Sequence, residues 1–354
     1  MFTERRALSL VGICLAVAAC NGTSSYLDAT GGGGREEAAL GRWLTAVSCA
    51  VVLAVCLAVL LGIARHRGEG NGESASSADA GDGVDGSRKN HSVARRDIKS
   101  GLNWIYIGSA ATIVVLLSTF VATLQTLSAA SHPPSPPSLT LDVTGHQWWW
   151  EVRYEYAQRP WLDFTTANEV NLPVGEPVRV RLRSADVIHS FWLPQLAGKT
   201  DVIPGQVNEM WLQARRPGSS RGMCGEYCGL QHANMALAVT AQSPADFSRW
   251  ADSRRAGATT PAPPAARAGE IVFTRTCGAC HTVAGTEALG RVGPDLTHLA
   301  SRPSIGAGAL VNSPENLSRW IRNAPSIKEG VRMPAIPLDD AQLHAVVAYL
   351  QTLR

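Results

Sequence analysis

The sequence predicts a multi-domain chain of three parts in series: a hairpin of two transmembrane helices, an antiparallel β-sandwich, and a small all-helical domain. Three observations carry this. Trp43 to Ala64 and Leu102 to Leu127 contain no charged residue. Glu176 to Arg183 alternates Val178, Val180 and Leu182 with three arginines, the period-two pattern of a half-buried strand. The last 85 or so residues carry the spacing Cys277, Cys280, His281 and close on the apolar stretch Asp340 to Leu350, which reads as a terminal helix. At 354 residues there is room for two or three domains. Hydrophobic residues make up 45% and charged residues 17%, and the apolar excess lies in the first 130 positions. A net charge of +3 is too small and dispersed for a nucleic-acid partner.

The membrane part comes first. Arg5 and Arg6 precede an apolar run from Ala7, which ends at Val17, Ala18, Ala19 and Cys20. That layout is a secretory signal over residues 1–19. Its small residues before a cysteine resemble a bacterial lipobox, which implies cleavage before Cys20 and lipidation of its thiol; an uncleaved anchor is the alternative. The anchor then covers 20–132. A run such as Trp43 to Ala64 spans ~33 Å at ~1.5 Å per residue, enough for a ~30 Å hydrocarbon core. Trp43, Trp104 and Tyr106 sit near span ends, where amphipathic rings favour the interface. Arg65, Arg67, Arg88, Lys89, Arg95, Arg96 and Lys99 flank the connecting loop. Positive charge beside short spans marks the cytoplasmic side. Everything after residue 132 is therefore expected outside the inner membrane, on the periplasmic or extracellular face.

The sandwich is expected over 133–250. His132 to Pro137, with four prolines, ends the second span. Leu139 to Val143 and Met235 to Val239 alternate as strands, and Pro173 to Gly175 and Pro204 to Gly205 are turns. Within it, Cys224, Cys228, His232 and Met235 fall inside twelve residues, and His189 follows a predicted strand. Thiolate, imidazole and thioether are soft ligands that suit copper. A Cys2His2 zinc site uses the same four Cys and His residues, and thioether is a poor zinc ligand. The cysteines are four apart, so they are not a Cys-x-x-Cys redox pair.

A Pro/Ala linker is expected over 251–267, then the helical domain over 268–354. Cys277, Gly278, Ala279, Cys280 and His281 form the C-x-x-C-H pattern of c-type haem attachment. Cys277 and Cys280 would form the thioethers and His281 the proximal iron ligand. Met333 is the only methionine after Met235; His298 and His344 are the other candidates for the sixth position. A Met/His pair raises the reduction potential.

These motifs together resemble subunit II of the haem–copper cytochrome c oxidases, with a class I cytochrome c fused at the C-terminus. The match rests on Gly145 to Trp150, Asp186 to Pro194, Lys199 to Gly205 and the loop opened by Cys224, then on Cys277 to His281, Gly293-Pro294 and Met333-Pro334. The resemblance implies a cupredoxin-like sandwich and a dinuclear mixed-valence CuA centre. Cys224 and Cys228 would bridge both coppers, His189 and His232 would bind one each, and Met235 and the Glu226 backbone carbonyl would complete the shells. It implies magnesium on the Glu226 carboxylate at subunit I, and electron entry at Trp148. Its implied partners are subunit I, subunit III, the membrane, and a donor such as cytochrome c or a bc-type complex. The function so implied is transfer from haem c to CuA to subunit I, where oxygen is reduced; a CuA-type nitric-oxide reductase is the alternative. Two positions depart from the family pattern. Asp97 is the only acid leading into the second span and is displaced, so no proton-uptake role is assigned to it. The region just before His189 has only Asp186 as an acid, a thin patch for docking a basic donor.

Overall fold

The computed structural model describes residues 25–69, 86–259, 261 and 263–354. The signal segment and Cys20 lie outside the described residues, as does the side chain of Asp97. The chain divides into two units.

One unit, Ala39–Ser128, belongs to the membrane part. It comprises most of α1 (Gly32–Glu69) and α2 (Gly86–Ser131). Candidate spans Gly32–Ala64 and Leu102–Ser131 have none of their apolar windows buried. Val52, Leu53, Leu60, Trp104, Tyr106 and Leu116 are all more than half exposed. Two core helices of a soluble domain would bury that surface. Helices that keep every backbone hydrogen bond internal and turn apolar side chains outward suit a lipid solvent.

The other unit, residues up to 38 together with Ala129–Arg354, holds two hydrophobic cores. The first lies between two five-stranded sheets. One sheet runs β3-β2-β1-β5-β8 and the other β4-β10-β9-β6-β7. Their strands are β1 (Leu139–His146), β2 (Trp149–Tyr156), β3 (Phe164–Ala167), β4 (Glu169–Pro173) and β5 (Val178–Ser184). β6 (His189–Trp192), β7 (Thr200–Val202), β8 (Asn208–Leu212), β9 (Gly218–Cys224) and β10 (Ala236–Gln242) complete them. Leu141, Val143, Val152, Tyr154, Val180 and Leu182 are fully buried between the sheets. On the wet face Arg181 pairs with Asp142 at 2.8 Å and with Glu155.

Most strand pairs of the sandwich are antiparallel, as expected, and two are parallel, β1 with β5 and β4 with β10. Each of these pairs joins strands with other strands between them in the chain, so the connection crosses over and no hairpin forces antiparallel pairing. Helices reach into both ends of the expected linker. Helix α3 (Pro244–Arg255) is capped by Ser243 and buries Phe247, Ala251 and Arg254, and α4 (Pro264–Thr276) starts inside the expected linker. Only the stretch between them joins the domains. Pro264 accommodates this at the first helical position, where proline is tolerated.

The second core is helical: α4, α5 (Pro314–Ile327) and α6 (Asp340–Leu350), with a short ladder of β11 (Ser304–Ile305) and β12 (Leu310–Val311). α4 crosses α6 at Gly269, where any Cβ would stand 1.9 Å from the Ala345 carbonyl oxygen. α6 begins in a capping box made by Asp339 and Gln342.

Candidate metal and haem centres

The Cys224 loop is held by backbone bonds at both ends: Cys224 N donates to Met235 O and Gly225 N to Ser190 O. This folds β9, the loop and the start of β10 around a compact set of soft donors. The two Sγ atoms are 3.7 Å apart. His189 Nδ1 lies 3.9 Å from Cys224 Sγ, and His232 Nδ1 lies 3.7 Å from Cys228 Sγ. Met235 Sδ is 3.9 Å from Cys228 Sγ and Glu226 O is 3.2 Å from Cys224 Sγ. His189, Cys224, Cys228 and Met235 are buried. His189, Cys224 and Cys228 form the metal-ligand group among the described residues.

The arrangement has two halves, each with one imidazole beside one thiol and one weaker donor, joined through the thiol pair. Tetrahedral zinc needs four ligands; here six donors converge, one of them a thioether. The donor set fits two coppers better than one zinc. The hydrogen bond from the Cys228 thiol lowers the pKa of Cys224, and the same bond with burial raises that of Cys228. A bound metal would take the place of the proton in this thiol–thiol bond.

One neighbour of this set has a role that the sequence does not show. Asp186, expected as a thin docking acid, is almost buried and turned inward. Its Oδ1 lies 3.0 Å from His189 Nε2, and Oδ2 accepts from Gln147 N at 2.8 Å. A carboxylate on the outer ring nitrogen fixes the tautomer that presents Nδ1 to a metal. Gly31 and Gly34 had no reading at all. Gly31 bridges to Ala214, and a Cβ there would stand 2.1 Å from Leu196 O. The glycine run lets the start of α1 lie against the segment that follows β6.

A cavity in the helical domain collects Cys277, Cys280, His281 and Met333. The sandwich closes one side of it with His146, Trp148, Trp149 and Asn168. His281 Nδ1 is bonded to the Pro294 carbonyl at 2.9 Å, leaving Nε2 for a metal. Gly293 makes room for that ring; a Cβ there would meet it at 2.6 Å. The alternative axial histidines are placed elsewhere. His298 spends its ring nitrogens on Arg354 O at 2.9 Å and Arg254 O at 3.1 Å, and His344 is exposed. Arg302 lines the cavity and is buried. It shares the single Glu169 carboxylate with Arg254, at 3.9 and 3.6 Å. Both Nε atoms lack a hydrogen-bond partner. A buried excess of positive charge on the wall suits a haem carboxylate. The cavity thus fits a haem on the chemistry of its own residues.

Trp148 connects the two centres. Its Nε1 donates to Cys228 O at 3.0 Å, and Gln147 Nε2 donates to the same oxygen at 2.9 Å. The ring fits between Gly229 of the copper loop and Gly330 of the helical domain, with 3.2 and 3.1 Å left for any Cβ. Only 7% of Trp148 is exposed.

Residues 160–242 match the family model for the cytochrome c oxidase subunit II periplasmic domain, and residues 266–354 match the cytochrome c model. A cytochrome c oxidase subunit 2 of Alkalihalophilus pseudofirmus is 36% identical over 259 residues, covering 72% of both chains. The chain belongs to the cytochrome c oxidase subunit 2 family. Another subunit 2, of Bacillus sp. strain PS3, is 31% identical over 229 residues, covering 61% of this chain and 63% of the relative. Among solved structures, the periplasmic domain of subunit II of the Bradyrhizobium japonicum cytochrome oxidase is 33% identical, with TM-score 0.31, covering 34% of this chain and 96% of that one. This is a subunit of a haem–copper oxidase with a C-terminal cytochrome c domain, anchored to the membrane as part of the oxidase complex. The two domains point to copper and haem as its cofactors.

Proposed function

We propose that this subunit carries electrons from its own haem c to a dinuclear CuA centre and on to subunit I, where oxygen is reduced to water. Bound at these sites, haem and copper would supply one-electron carriers on either side of Trp148. Cys224 and Cys228 would bridge the coppers, with His189, His232, Met235 and the Glu226 carbonyl as the outer ligands. Cys277 and Cys280 would hold the haem covalently, and His281 and Met333 would be its axial ligands. The observation that carries the reading is the position of Trp148, which lines the haem cavity and donates to the carbonyl of Cys228.

The chain's residues keep both sites rigid. Asp186 orients His189, Pro294 orients His281, and the fully buried sandwich core leaves the ligands little freedom to move between oxidation states. The Glu226 side chain is exposed, with Oε1 accepting from Tyr227 N at 3.1 Å; with groups from subunit I it would hold magnesium. Subunit III and a cytochrome c or bc-type donor complete the proposed assembly. The basic flanks of the spans support a periplasmic or extracellular position for the sandwich and the cytochrome c domain, and the proposed lipidation of Cys20 would agree.

Electron paramagnetic resonance with optical spectroscopy on the purified full-length chain tests this. The expected result is a mixed-valence copper signal shared over two nuclei beside a low-spin haem c with methionine ligation. A mononuclear copper signal, or bound zinc, would contradict the copper assignment.

A further inference from the structure

Lys328 ends α5 in the helical domain, five positions before Met333. It is 2% exposed. Its ammonium donates to three backbone carbonyls: Trp148 O at 2.8 Å, Asn234 O at 2.8 Å and Gly306 O at 2.9 Å. The first two belong to the sandwich and the third to the helical domain. No carboxylate pairs with it among the described residues, so the three carbonyl dipoles replace its water. A lysine is rarely buried without a counter-ion. Here burial lowers its proton affinity to about 7, so closing the interface over it costs free energy that its bonds must offset. Around it the contact is continuous. Ala236 N donates to Ala307 O at 3.0 Å, and Gln231 Nε2 donates to Glu329 O at 3.0 Å. Gly330 lies against the Trp148 ring.

We propose that Lys328 is the positioning residue that fastens the cytochrome c domain onto the copper domain, by tying the backbone of Trp148 and of Asn234, next to Met235, to the Gly306 loop. This deepens the reading of the chain as an electron-entry subunit and rests on it. Copper entry is then closed to outside proteins: a soluble donor reduces the cytochrome c domain, and the copper centre is reached only from within the chain.

The test uses full-length protein in three measurements. In the unmodified chain, acetic anhydride modifies exposed Lys199 and spares Lys328. Equal labelling of the two would overturn the proposal without any variant. In K328M, the Ala236 amide, whose bond crosses the interface, should lose protection from hydrogen exchange by about tenfold or more, while the Val143 amide in the sandwich core keeps its own. A purely structural role would move both amides together. In K328M with intact copper and haem spectra, added soluble cytochrome c should also reduce copper directly, at a rate that rises with its concentration. K328R, which keeps the donors, should show less of both effects. Unchanged Ala236 protection, or copper still closed to the soluble donor in K328M, would overturn the proposal. Absence of a dinuclear copper signal in the unmodified chain would instead defeat the functional reading beneath it.

Discussion

Asp186 and His146 show how much of the site is set by single side chains beside the ligands. Asp186 fixes the outer nitrogen of His189. D186A should weaken copper binding by about 10–100-fold while haem binding stays unchanged, and chelator competition would measure it. D186N, which keeps an acceptor oxygen, should lose less. His146 stacks on Trp149 with ring centroids 4.2 Å apart, and its Nε2 is buried without a partner. Burial lowers its protonation to about 4 from 6.5. Between those values the unfolded chain binds the proton and the folded chain does not, so this contribution to stability is full above about pH 6.5 and is lost as pH falls toward 4. H146F keeps the stack and removes the titration. Its denaturant midpoint should fall less than the parent's between pH 7 and pH 5; equal falls would contradict this. The residues proposed as ligands stand out in the sequence because their types and spacings are chemically selective. Asp186 was not legible as an orienting group, since only folding shows which way one acid turns.

At the scale of elements, the crossing of α4 over α6 depends on a missing side chain. With Ala345 O 1.9 Å from any Cβ at Gly269, G269A must push the helices apart. Overpacking of this kind costs about 1–3 kcal/mol, so the variant should melt earlier as followed by the haem absorbance. The strands over Leu139–His146 and Val178–Ser184 and the helix over Asp340–Leu350 were readable from apolar periodicity. Strand pairing was not, because alternation specifies which face is buried and says nothing of the neighbour's direction. α3 was hidden for a related reason. Its sequence is mostly polar, and it is stabilised by a Ser243 cap and by packing Phe247 and Ala251 onto the sandwich. The glycines at 31 and 34 carry no periodicity, and only their closeness to Leu196 gives them a role.

Across the whole molecule, the two soluble domains each have a core, yet Trp148 and Lys328 are buried where they meet. A donor that lies on the same chain needs no steering by charge, which agrees with the inward turn of Asp186. The domains were separately legible from their motifs. Their closed contact was not, because it depends on one lysine meeting three carbonyls from distant parts of the chain. In the proposed route, haem and copper exchange electrons within one closed chain. Flash reduction of the haem in the full-length protein, followed by the rise of reduced copper, tests it most directly. The expected result is a first-order rate that does not change as protein is diluted and is insensitive to salt. A rate proportional to protein concentration would mean that electrons pass between separate molecules, and would contradict it.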